Sequence, residues 1–443
     1  MDVKEYLQKI EEAKELQTVH VEINPRLELA ALCRREFAKE GGGQALLFNR
    51  VLGSAFPVVA NLFGSEQRIS LLLHSASLKQ FSNQVTTLLQ QKKGTTAERL
   101  DFPRKTFTVT DSELIVAPDL TLTDLPAIQS WPGEGGRYLN LAVALTEHMQ
   151  TGQRNLGLYR AQIVGTDLIA LNFSANSGAA EHFAVAAKEH RSLPISLIIG
   201  SDPALIWVAA APLPDNCDEF AFHDALFDQK LQLTPGLTQP LQVPANAEIV
   251  IEGEIIADQT VNEGPFGNHT GQYVTRTDCP LMQVTAIRYR PGAVLSTTVV
   301  GPPPSENVNL GKANEILLRE MLKIDFPQIS HLKMPLLTIF HGVALLSVKP
   351  QSAGKNKELL YALWENSALR RSPLLVLFDE HVNLDSLSYG WWRAVNCLKN
   401  QRIYNNNGKI GIDATGVNPS SLVEEDQDTR DLLRRRKDEY NQC

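Results

Sequence analysis

A short polar segment, residues 263–271, carries three side chains suited to acid–base chemistry. It reads Glu-Gly-Pro-Phe-Gly-Asn-His-Thr-Gly and lies between two runs of β-forming residues, so we predict a loop. Glu263, Asn268 and His269 supply a carboxylate, an amide and an imidazole on a path that glycine and proline constrain. Stiff loops with polar side chains are a common place for sites, although composition alone also allows a turn with solvated side chains.

A second polar segment, residues 155–160, opens a predicted strand that runs over 155–164. On a regular strand Asn155 and Arg160 would face opposite ways, because successive side chains alternate. Gly157 between them predicts a bulge that re-aims one of the two. An arginine here can bind a carboxylate through two N–H groups, and an ordinary structural ion pair is the alternative.

A third segment, residues 213–219, follows an apolar strand and offers three acids, Asp215, Asp218 and Glu219. Carboxylate and amide oxygens are hard donors that suit Mg²⁺ or Mn²⁺ with phosphate oxygens completing the shell. An acidic helix N-terminus, which the helix dipole favours, is the alternative.

Bulk composition narrows the class of protein. The chain has 443 residues and a formal net charge of -8, which predicts two or three domains and argues against general nucleic-acid binding. The five cysteines are scattered without a C-x-x-C pair, so their spacing indicates neither a disulfide framework nor a zinc site. The most apolar stretch, 193–213, is interrupted by polar residues and prolines, so we predict strand, turn and strand there, and no membrane span. A charged N-terminal segment without a secretory pattern leads us to expect a cytoplasmic protein.

The chain divides into three predicted regions. Residues 1–105 alternate helical and strand patterns, and 106–302 change to short β runs with one convincing helix at 179–190. Many strands with a single helix predict a barrel or sandwich and not a doubly wound sheet. A proline-rich hinge at 301–304 leads into 303–443, which we predict to be a linker helix and a C-terminal α/β domain.

Together these stretches resemble the UbiD-type decarboxylases, the family that includes ferulic acid decarboxylase and polyprenyl-hydroxybenzoate decarboxylase. The motifs that carry the resemblance keep their order through most of the chain, at residues 45–48, 61–64, 155–160, 200–204, 213–215, 243–253, 263–271 and 411–415. The resemblance implies an α+β and α/β chain with a central split β-barrel that binds prenylated FMN, flanked by N- and C-terminal α/β regions. It also implies a homodimer or a higher homo-oligomer.

The resemblance assigns roles to individual residues. It implies that Mn²⁺, with K⁺ nearby, holds the cofactor phosphate, and that Asn155 and Glu219 bind the metal and thereby the cofactor. Arg160 and Glu263 match two members of a catalytic Glu-Arg-Glu/Asp network. The other positions implied to contact the cofactor are Leu158, Tyr159, Asn172, Phe173, Ser174, Ser177, Gly178 and, further along the chain, Lys349, together with Arg160 itself.

Two departures from the family pattern matter for chemistry. The third acid of the network is replaced by Asn268, whose amide cannot deliver a proton. The stretch that commonly reads His-Arg-Gly is Asn-Ser-Gly at residues 176–178, so a histidine metal ligand of some members has no match here.

We therefore predict a reversible non-oxidative decarboxylase that acts on a small aromatic, heteroaromatic or α,β-unsaturated carboxylic acid. No protein side chain is a good sink for the electrons left by departing CO₂, so prenylated FMN, supplied by a flavin prenyltransferase, would serve. Arg160 would orient the substrate carboxylate, while Glu263, His269 or an ordered water would supply the proton in place of Asn268. The alternatives are a non-catalytic flavin-binding or pathway-scaffold member of the family and, from another class, a flavin reductase.

Overall fold

The computed structural model describes most of the chain, namely residues 1–92, 96–97, 100–102, 108–215, 217–335, 338, 342–352, 354–365, 368–370, 372–398, 402–416, 423 and 426–440. The predicted boundary between residues 105 and 106 lies outside the described residues. The chain forms two compact units: the first is Met1–Pro327 with Met334–His341, and the second is Gln328–Lys333 with Gly342–Cys443.

Twelve α-helices are found within the described residues. They are α1 Val3–Glu12, α2 Glu28–Phe37, α3 Glu66–Leu72, α4 Leu78–Gln90, α5 Gly178–Lys188, α6 Ala204–Val208, α7 Glu219–Phe227, α8 Asn307–Asp325, α9 Lys355–Glu365, α10 Leu387–Asn396, α11 Gln427–Arg435 and α12 Lys437–Tyr440. Side-chain oxygens cap many of their N-termini, since the first backbone N–H groups of a helix have no partner within it. Ser177 caps α5 and Asp218 caps α7, the two helices that border the candidate site.

The described strands number twenty-one. They are β1 Leu16–Val19, β2 Ala45–Phe48, β3 Val58–Ala60, β4 Thr108–Val109, β5 Ile115–Val116, β6 Arg137–Leu139, β7 Val143–Glu147, β8 Arg154–Leu158, β9 Ala161–Ile163, β10 Leu168–Leu171, β11 Leu193–Ile199, β12 Gln232–Pro235, β13 Gln242–Pro244, β14 Ile249–Gly267, β15 Tyr273–Tyr289, β16 Leu295–Thr297, β17 Ile329–Lys333, β18 Val343–Val348, β19 Leu374–Asp379, β20 Ile403–Asn406 and β21 Lys409–Asp413. In the first unit, a four-stranded sheet (β1-β2-β3-β16) and a three-stranded sheet (β13-β12-β4) accompany a nine-stranded central sheet.

The central sheet runs in the order β6-β9-β10-β15-β14-β11-β7-β8, with β5 beside β15, and all of its pairings are antiparallel. Its longest elements, β14 and β15, form a hairpin whose register shifts several times. Each such bulge bends a strand and increases its twist, and the sheet accordingly curls into a half-barrel. The prediction of a mixed fold with a β-rich centre is confirmed at this level.

The prediction of a loop over 263–271 is wrong in its first half. Glu263 to Gly267 belong to β14, and the turn covers only residues 268–272. Glycine and proline normally break strands, but here the register shifts on both sides of Glu263 accommodate them. At Gly264, where φ is 103°, a Cβ would lie 2.7 Å from the carbonyl oxygen of Val274, so the position requires glycine.

Both faces of the central sheet are buried. Along β7, Val143 and Leu145 pack in a cluster with apolar side chains of α3, α4, α6, α7 and α8, whereas Ala144 packs on the opposite face with α2 and α5. A strand that is buried on both faces has apolar side chains at nearly every position. Strands β7 and β11 therefore contain few charged residues.

The predicted strand, turn and strand over 193–213 is wrong in its second part. The chain forms β11, then turns into the short helix α6, in which every residue from Ala204 to Val208 is buried. A short run that is apolar on every side has no period, so a buried helix and a buried strand look alike in the sequence.

The second unit is built on a five-stranded sheet with the order β17-β18-β19-β21-β20. Its inner strands β18, β19 and β21 are parallel, and α9 and α10 provide the crossovers between them. The core of this unit includes Leu345, Val376 and Phe378, all fully buried. Among the described residues of both units, no helix is long and apolar enough to span a bilayer.

Candidate active site

Arg160 reaches its partner from the two-residue segment that joins β8 to β9. Strand β8 pairs with β7 in unbroken register from Arg154 to Leu158, so the predicted bulge at Gly157 is wrong. The strand instead ends at Leu158, and residues 159–160, which have no regular structure, lead into β9 near the opposite end of the sheet order. Its Nε and Nη2 donate to the two carboxylate oxygens of Glu263 at 2.8 and 2.7 Å, a bidentate pair.

Glu263 is fully buried between two register shifts of the β14–β15 hairpin. Asn172 Nδ2 donates to its Oε2 at 2.8 Å, and Asn172 Oδ1 in turn accepts from Arg276 Nη1 at 3.1 Å. Arg276 pairs with Glu263 across the hairpin, so the same register that places the acid also places this second arginine. Three donated hydrogen bonds thus hold the carboxylate in one orientation, and bulges of this kind commonly re-aim a side chain beside a site.

Aromatic rings form one wall of this network. The Arg160 guanidinium lies 4.4 Å from the ring centre of Phe266, and Phe266 is 4.7 Å from the ring of Tyr138. Burial, the Glu263 charge and that of Glu134 raise the pKa of Tyr138 well above its usual value. Tyr138 therefore stays a neutral phenol beside a carboxylate. A cation held against an aromatic face is also fixed in orientation.

The turn that follows β14 contains Asn268 and His269, the two remaining residues that were predicted to be catalytic. The Asn268 side-chain oxygen accepts from the backbone N–H and the hydroxyl of Thr270 at 2.8 and 2.6 Å, which closes an Asx turn. Among the described residues, the side chain of Asn268 forms no hydrogen bond with Arg160 or Glu263. His269 is half-buried, and burial and the Arg160 charge lower its pKa, so its imidazole is neutral at pH 7.

The two predicted metal ligands, Asn155 and Glu219, approach each other from β8 and the first turn of α7. The Glu219 carboxylate accepts a hydrogen bond from the backbone of Leu156, next to Asn155 in the chain. Glu219 Oε2 and Asn155 Nδ2 are buried atoms without a hydrogen-bond partner. Burial also raises the pKa of Glu219 to about 8. Unpaired buried polar atoms are costly. A bound cation would satisfy Glu219 Oε2, whereas the Asn155 N–H group needs an acceptor such as a phosphate oxygen.

The helix α5 begins beside Asn155. A Cβ on Gly178, its first residue, would lie only 2.3 Å from Asn155 Oδ1, so glycine allows this close approach. The Tyr159 hydroxyl hydrogen-bonds with Ser177 and Asn155, and its ring lies 4.8 Å from that of Phe173. The positive end of the helix dipole at such a start favours an anion.

The remaining predicted cofactor contacts are more exposed. Leu158 is half-buried at the end of β8, and Ser174 is exposed and accepts a hydrogen bond from Ser177 at its backbone oxygen. Lys349 lies in the second unit, exposed directly after β18. Its contact with the cofactor stays a prediction.

We did not predict three residues of this network from the sequence. Tyr138 lies beside Glu263, Arg276 holds Asn172, and Gln162 accepts from the backbone N–H of Gly264 at 2.8 Å. The only signal for them is strand pairing, because each stands on a strand of the same sheet as Glu263, and that pairing is not readable from local pattern.

Comparison with known proteins identifies the family. The model of the 3-octaprenyl-4-hydroxybenzoate carboxy-lyase (UbiD) N-terminal domain matches residues 7–85, that of its Rift-related domain matches 104–303, and that of its C-terminal domain matches 308–404. An uncharacterized protein of Archaeoglobus fulgidus is 32% identical over 444 residues, covering 94% of this chain and 91% of that protein. One of Aquifex aeolicus is 32% identical over 414 residues, covering 90% of this chain and 85% of that protein.

Solved structures share the fold over nearly the whole chain. Vanillic acid decarboxylase of Sedimentibacter hydroxybenzoicus, in a closed form, has a TM-score of 0.87 at 23% identity, covering 99% of this chain and 98% of that chain. An evolved dimeric form of HmfF from Pelotomaculum thermopropionicum, in complex with prenylated FMN, has a TM-score of 0.82 at 24% identity, covering 97% of this chain and 98% of that chain. The 3,4-dihydroxybenzoic acid decarboxylase of Klebsiella pneumoniae has a TM-score of 0.75 at 19% identity, covering 98% and 99%. With all three domain models matched in order, the chain belongs to the UbiD family of carboxy-lyases.

Proposed function

We propose that this protein is a non-oxidative decarboxylase that removes CO₂ reversibly from a small aromatic or heteroaromatic acid with the help of prenylated FMN. The observation that carries the proposal is the buried network of Glu263, Arg160 and Asn172. It fixes an acid and a cation in one orientation, which is what a carboxylate substrate and a proton transfer both require. Aromatic acids are the substrates of the vanillic and 3,4-dihydroxybenzoic acid decarboxylases that share the fold, which supports this substrate class.

The residues around α5 fit a metal-bound cofactor phosphate. Asn155 and Glu219 offer oxygen donors, and the buried Glu219 Oε2, which lacks a partner, supports a cation at this place. The start of α5, at Ser177 and Gly178, adds the positive end of a helix dipole, which favours the phosphate itself. Oxygen ligands with an anionic phosphate suit Mn²⁺, and K⁺ belongs to the same proposal as a second, nearby cation. When bound, prenylated FMN supplies the electron sink that decarboxylation needs.

Arg160 has a donor left for the substrate. Glu263 engages Nε and Nη2, while Nη1 forms no hydrogen bond with a described residue, and the side chain is 21% exposed. We infer that Nη1 orients the substrate carboxylate, because a charge-assisted hydrogen bond from a fixed guanidinium is both strong and directional.

The proton that replaces the carboxyl group comes, in this proposal, from Glu263 or from a water that Glu263 orders. His269 is disfavoured as the acid, since its lowered pKa leaves it neutral at the operating pH. Asn268 is an amide whose oxygen is used by its own turn, so it serves only to shape the pocket.

The test uses the full chain co-expressed with a flavin prenyltransferase. The expected result is a bound flavin with the mass of the prenylated form, together with CO₂ release from members of a panel of benzoic, furoic and pyrrole carboxylic acids. Bound flavin without CO₂ release from any acid would instead support a non-catalytic flavin-binding member. Bleaching of the flavin by NAD(P)H without CO₂ release would support a flavin reductase.

A further inference from the structure

Three side chains converge at a place that the proposed decarboxylase chemistry does not use. His74 Nε2 lies 2.9 Å from Asp202 Oδ1, and His223 Nε2 lies 3.2 Å from Asp202 Oδ2. One ligand atom from each of the three residues falls within 4.8 Å of the other two. Two imidazole nitrogens and a carboxylate oxygen at this spacing are the donor set of many zinc sites.

The three residues come from separate elements of the first unit. His74 stands just after α3, Asp202 lies in the turn between β11 and α6, and His223 is on α7. All three side chains are nearly buried, with 11%, 4% and 1% exposure respectively. His74 also has a φ of 52°, a backbone conformation that costs free energy outside glycine and is commonly retained at functional sites.

His223 has a carboxylate at each of its ring nitrogens. Nε2 faces Asp202, and Nδ1 lies 3.4 Å from Asp224 Oδ1. A neutral imidazole can donate to only one of them, so the ring must either carry both protons or hold a cation at Nε2. With a metal ion at Nε2, the Nδ1 proton would point at Asp224, the arrangement of a carboxylate–histidine–metal triad.

We propose that His74, Asp202 and His223 form a second metal site, which binds a divalent transition-metal ion of the zinc class. Two nitrogen donors favour Zn²⁺, Co²⁺ or Ni²⁺ over Mg²⁺ and Mn²⁺, which prefer oxygen-rich sites. Without an ion, Asp202 would be a hydrogen-bond hub, because Oδ1 also accepts from the backbone N–H of Ala204 at 3.0 Å and the Met1 amino group lies 3.6 Å from Oδ2. Oδ2 accepts no backbone hydrogen bond and is the oxygen proposed for the ion, which would take the place of the Met1 amino group beside it.

The proposed ion has a fourth position. Asp202 and His223 line a cleft of about 310 Å³, whose other walls include Lys230, Asn246 and Arg290. An open position towards a cleft distinguishes a site that takes a water or a small anion from a closed structural site.

The second site is separate from the metal site proposed at Asn155 and Glu219, but both sites use a residue of α7. Glu219 stands in the first turn of α7 and His223 one turn later. A metal assay on the unmodified chain would therefore report both sites together, so we remove the first site before testing the second.

The test titrates Co²⁺ into full-length, chelator-treated Glu219→Gln protein, because tetrahedral Co²⁺ with nitrogen ligands absorbs visibly and replaces Zn²⁺. We expect one Co²⁺ per chain with a visible band that Zn²⁺ abolishes. Adding His74→Gln should weaken the apparent affinity at least about tenfold, the size of effect seen when a ligand or its support is lost. The matched control is His190→Gln, since His190 forms an exposed pair with Asp258 at 3.3 Å and should leave the titration unchanged.

The proposal is overturned if the Glu219→Gln protein binds no Co²⁺ or Zn²⁺, or if His74→Gln and His190→Gln titrate alike. Asp202→Asn is the stronger change, but it also removes a charge that the surrounding fold uses and the variant can fail to fold. In that case His74→Gln provides the test, because the His74 side chain lies nearer the surface. A second readout is thermal unfolding. Zn²⁺ should raise the midpoint temperature of the Glu219→Gln protein and not that of the variant that carries both Glu219→Gln and His74→Gln.

Discussion

Arg160 and Glu263 lie 103 residues apart in the chain and meet in a two-point contact of 2.8 and 2.7 Å. The acid is fully buried whereas the arginine side chain remains 21% exposed, so the pair has one face in the core and one open to solvent. In the proposed function, the buried acid fixes the position of the arginine, and the exposed part of the arginine meets the substrate.

Glu263→Gln should abolish decarboxylation while leaving flavin bound. The amide keeps the volume of the side chain and an oxygen for Arg160, but it cannot transfer a proton, a loss that general acid–base catalysis puts at about 10²–10⁴-fold. CO₂ release and the flavin absorbance of the same preparation measure the two effects. Glu254→Gln, on an exposed position of the same strand, is the control. Near-normal turnover of Glu263→Gln would remove Glu263 from the mechanism.

Arg160→Met should destabilise the first unit by roughly 3–5 kcal/mol, because it leaves the Glu263 carboxylate buried without its cation. The double variant with Glu263→Gln should recover part of this loss, since the uncompensated charge is then gone. Thermal unfolding of the flavin-free proteins checks both. Arg191→Met, which breaks an exposed pair with Glu189 at 3.4 Å, should change stability by less than about 1 kcal/mol. Equal losses in the two arginine variants would contradict the argument.

Asn268→Asp should alter which acids are accepted more than it alters cofactor content. An aspartate can accept the same two hydrogen bonds from Thr270, so the turn is kept while a negative charge enters the pocket. Relative kcat/KM over neutral and additionally anionic aromatic acids should shift towards the neutral ones. Asn268→Ala, which loses the turn contacts, separates the effect of charge from that of turn geometry. An unchanged substrate profile in Asn268→Asp would mean that this position does not face the substrate.

Gly178→Ala should lower the Mn²⁺ and flavin content together. Its Cβ would fall 2.3 Å from Asn155 Oδ1, so the amide must move out of the position proposed for the metal ligand. Metal analysis and flavin absorbance of the purified protein measure the outcome. Gly390→Ala makes the same change within α10, where the nearest atom is Leu345 Cδ1 at 3.8 Å, and should have no such effect. Full flavin content in Gly178→Ala would exclude Asn155 as an essential ligand.

Glu306 should make the first unit less stable as the pH rises. Burial raises its pKa from 4.5 to about 7 in the folded protein, so the folded state prefers the protonated acid. Stability is therefore greatest below the unfolded value and is lost as the pH rises from 4.5 through about 7. Glu306→Gln lacks this titration, so its stability relative to the parent should increase between about pH 4 and pH 8 by roughly 3 kcal/mol. If the free energies of unfolding of the two proteins change with pH in the same way across this range, Glu306 is not the group that titrates.

Local sequence pattern predicted those parts of the structure that local physics decides. The helix over 179–190 was placed correctly because Ser177 caps it and its apolar residues repeat with helical spacing. The β-rich centre was equally readable, since its short apolar runs alternate with turns. The resemblance supplied the pairing of Arg160 with Glu263, which no local pattern contains.

What the sequence did not reveal depends on contacts between distant segments. Tyr138 and Arg276 reach Glu263 only through strand order and register, which many pairings of the same strands would satisfy. His74, Asp202 and His223 carry no common motif because each comes from a different element. The cysteine spacing argued only against a zinc site made of cysteines. It gave no information about a site made of histidine and aspartate.

The register shifts on either side of Glu263 restrict how this strand can evolve. Substitutions along β14 change one side chain at a time and leave the pairing intact. Adding or deleting one residue between Ile255 and Glu263 would instead carry the acid to the opposite face of the sheet, away from Arg160. Changes in the length of this strand are therefore expected to be more damaging than substitutions at its exposed positions.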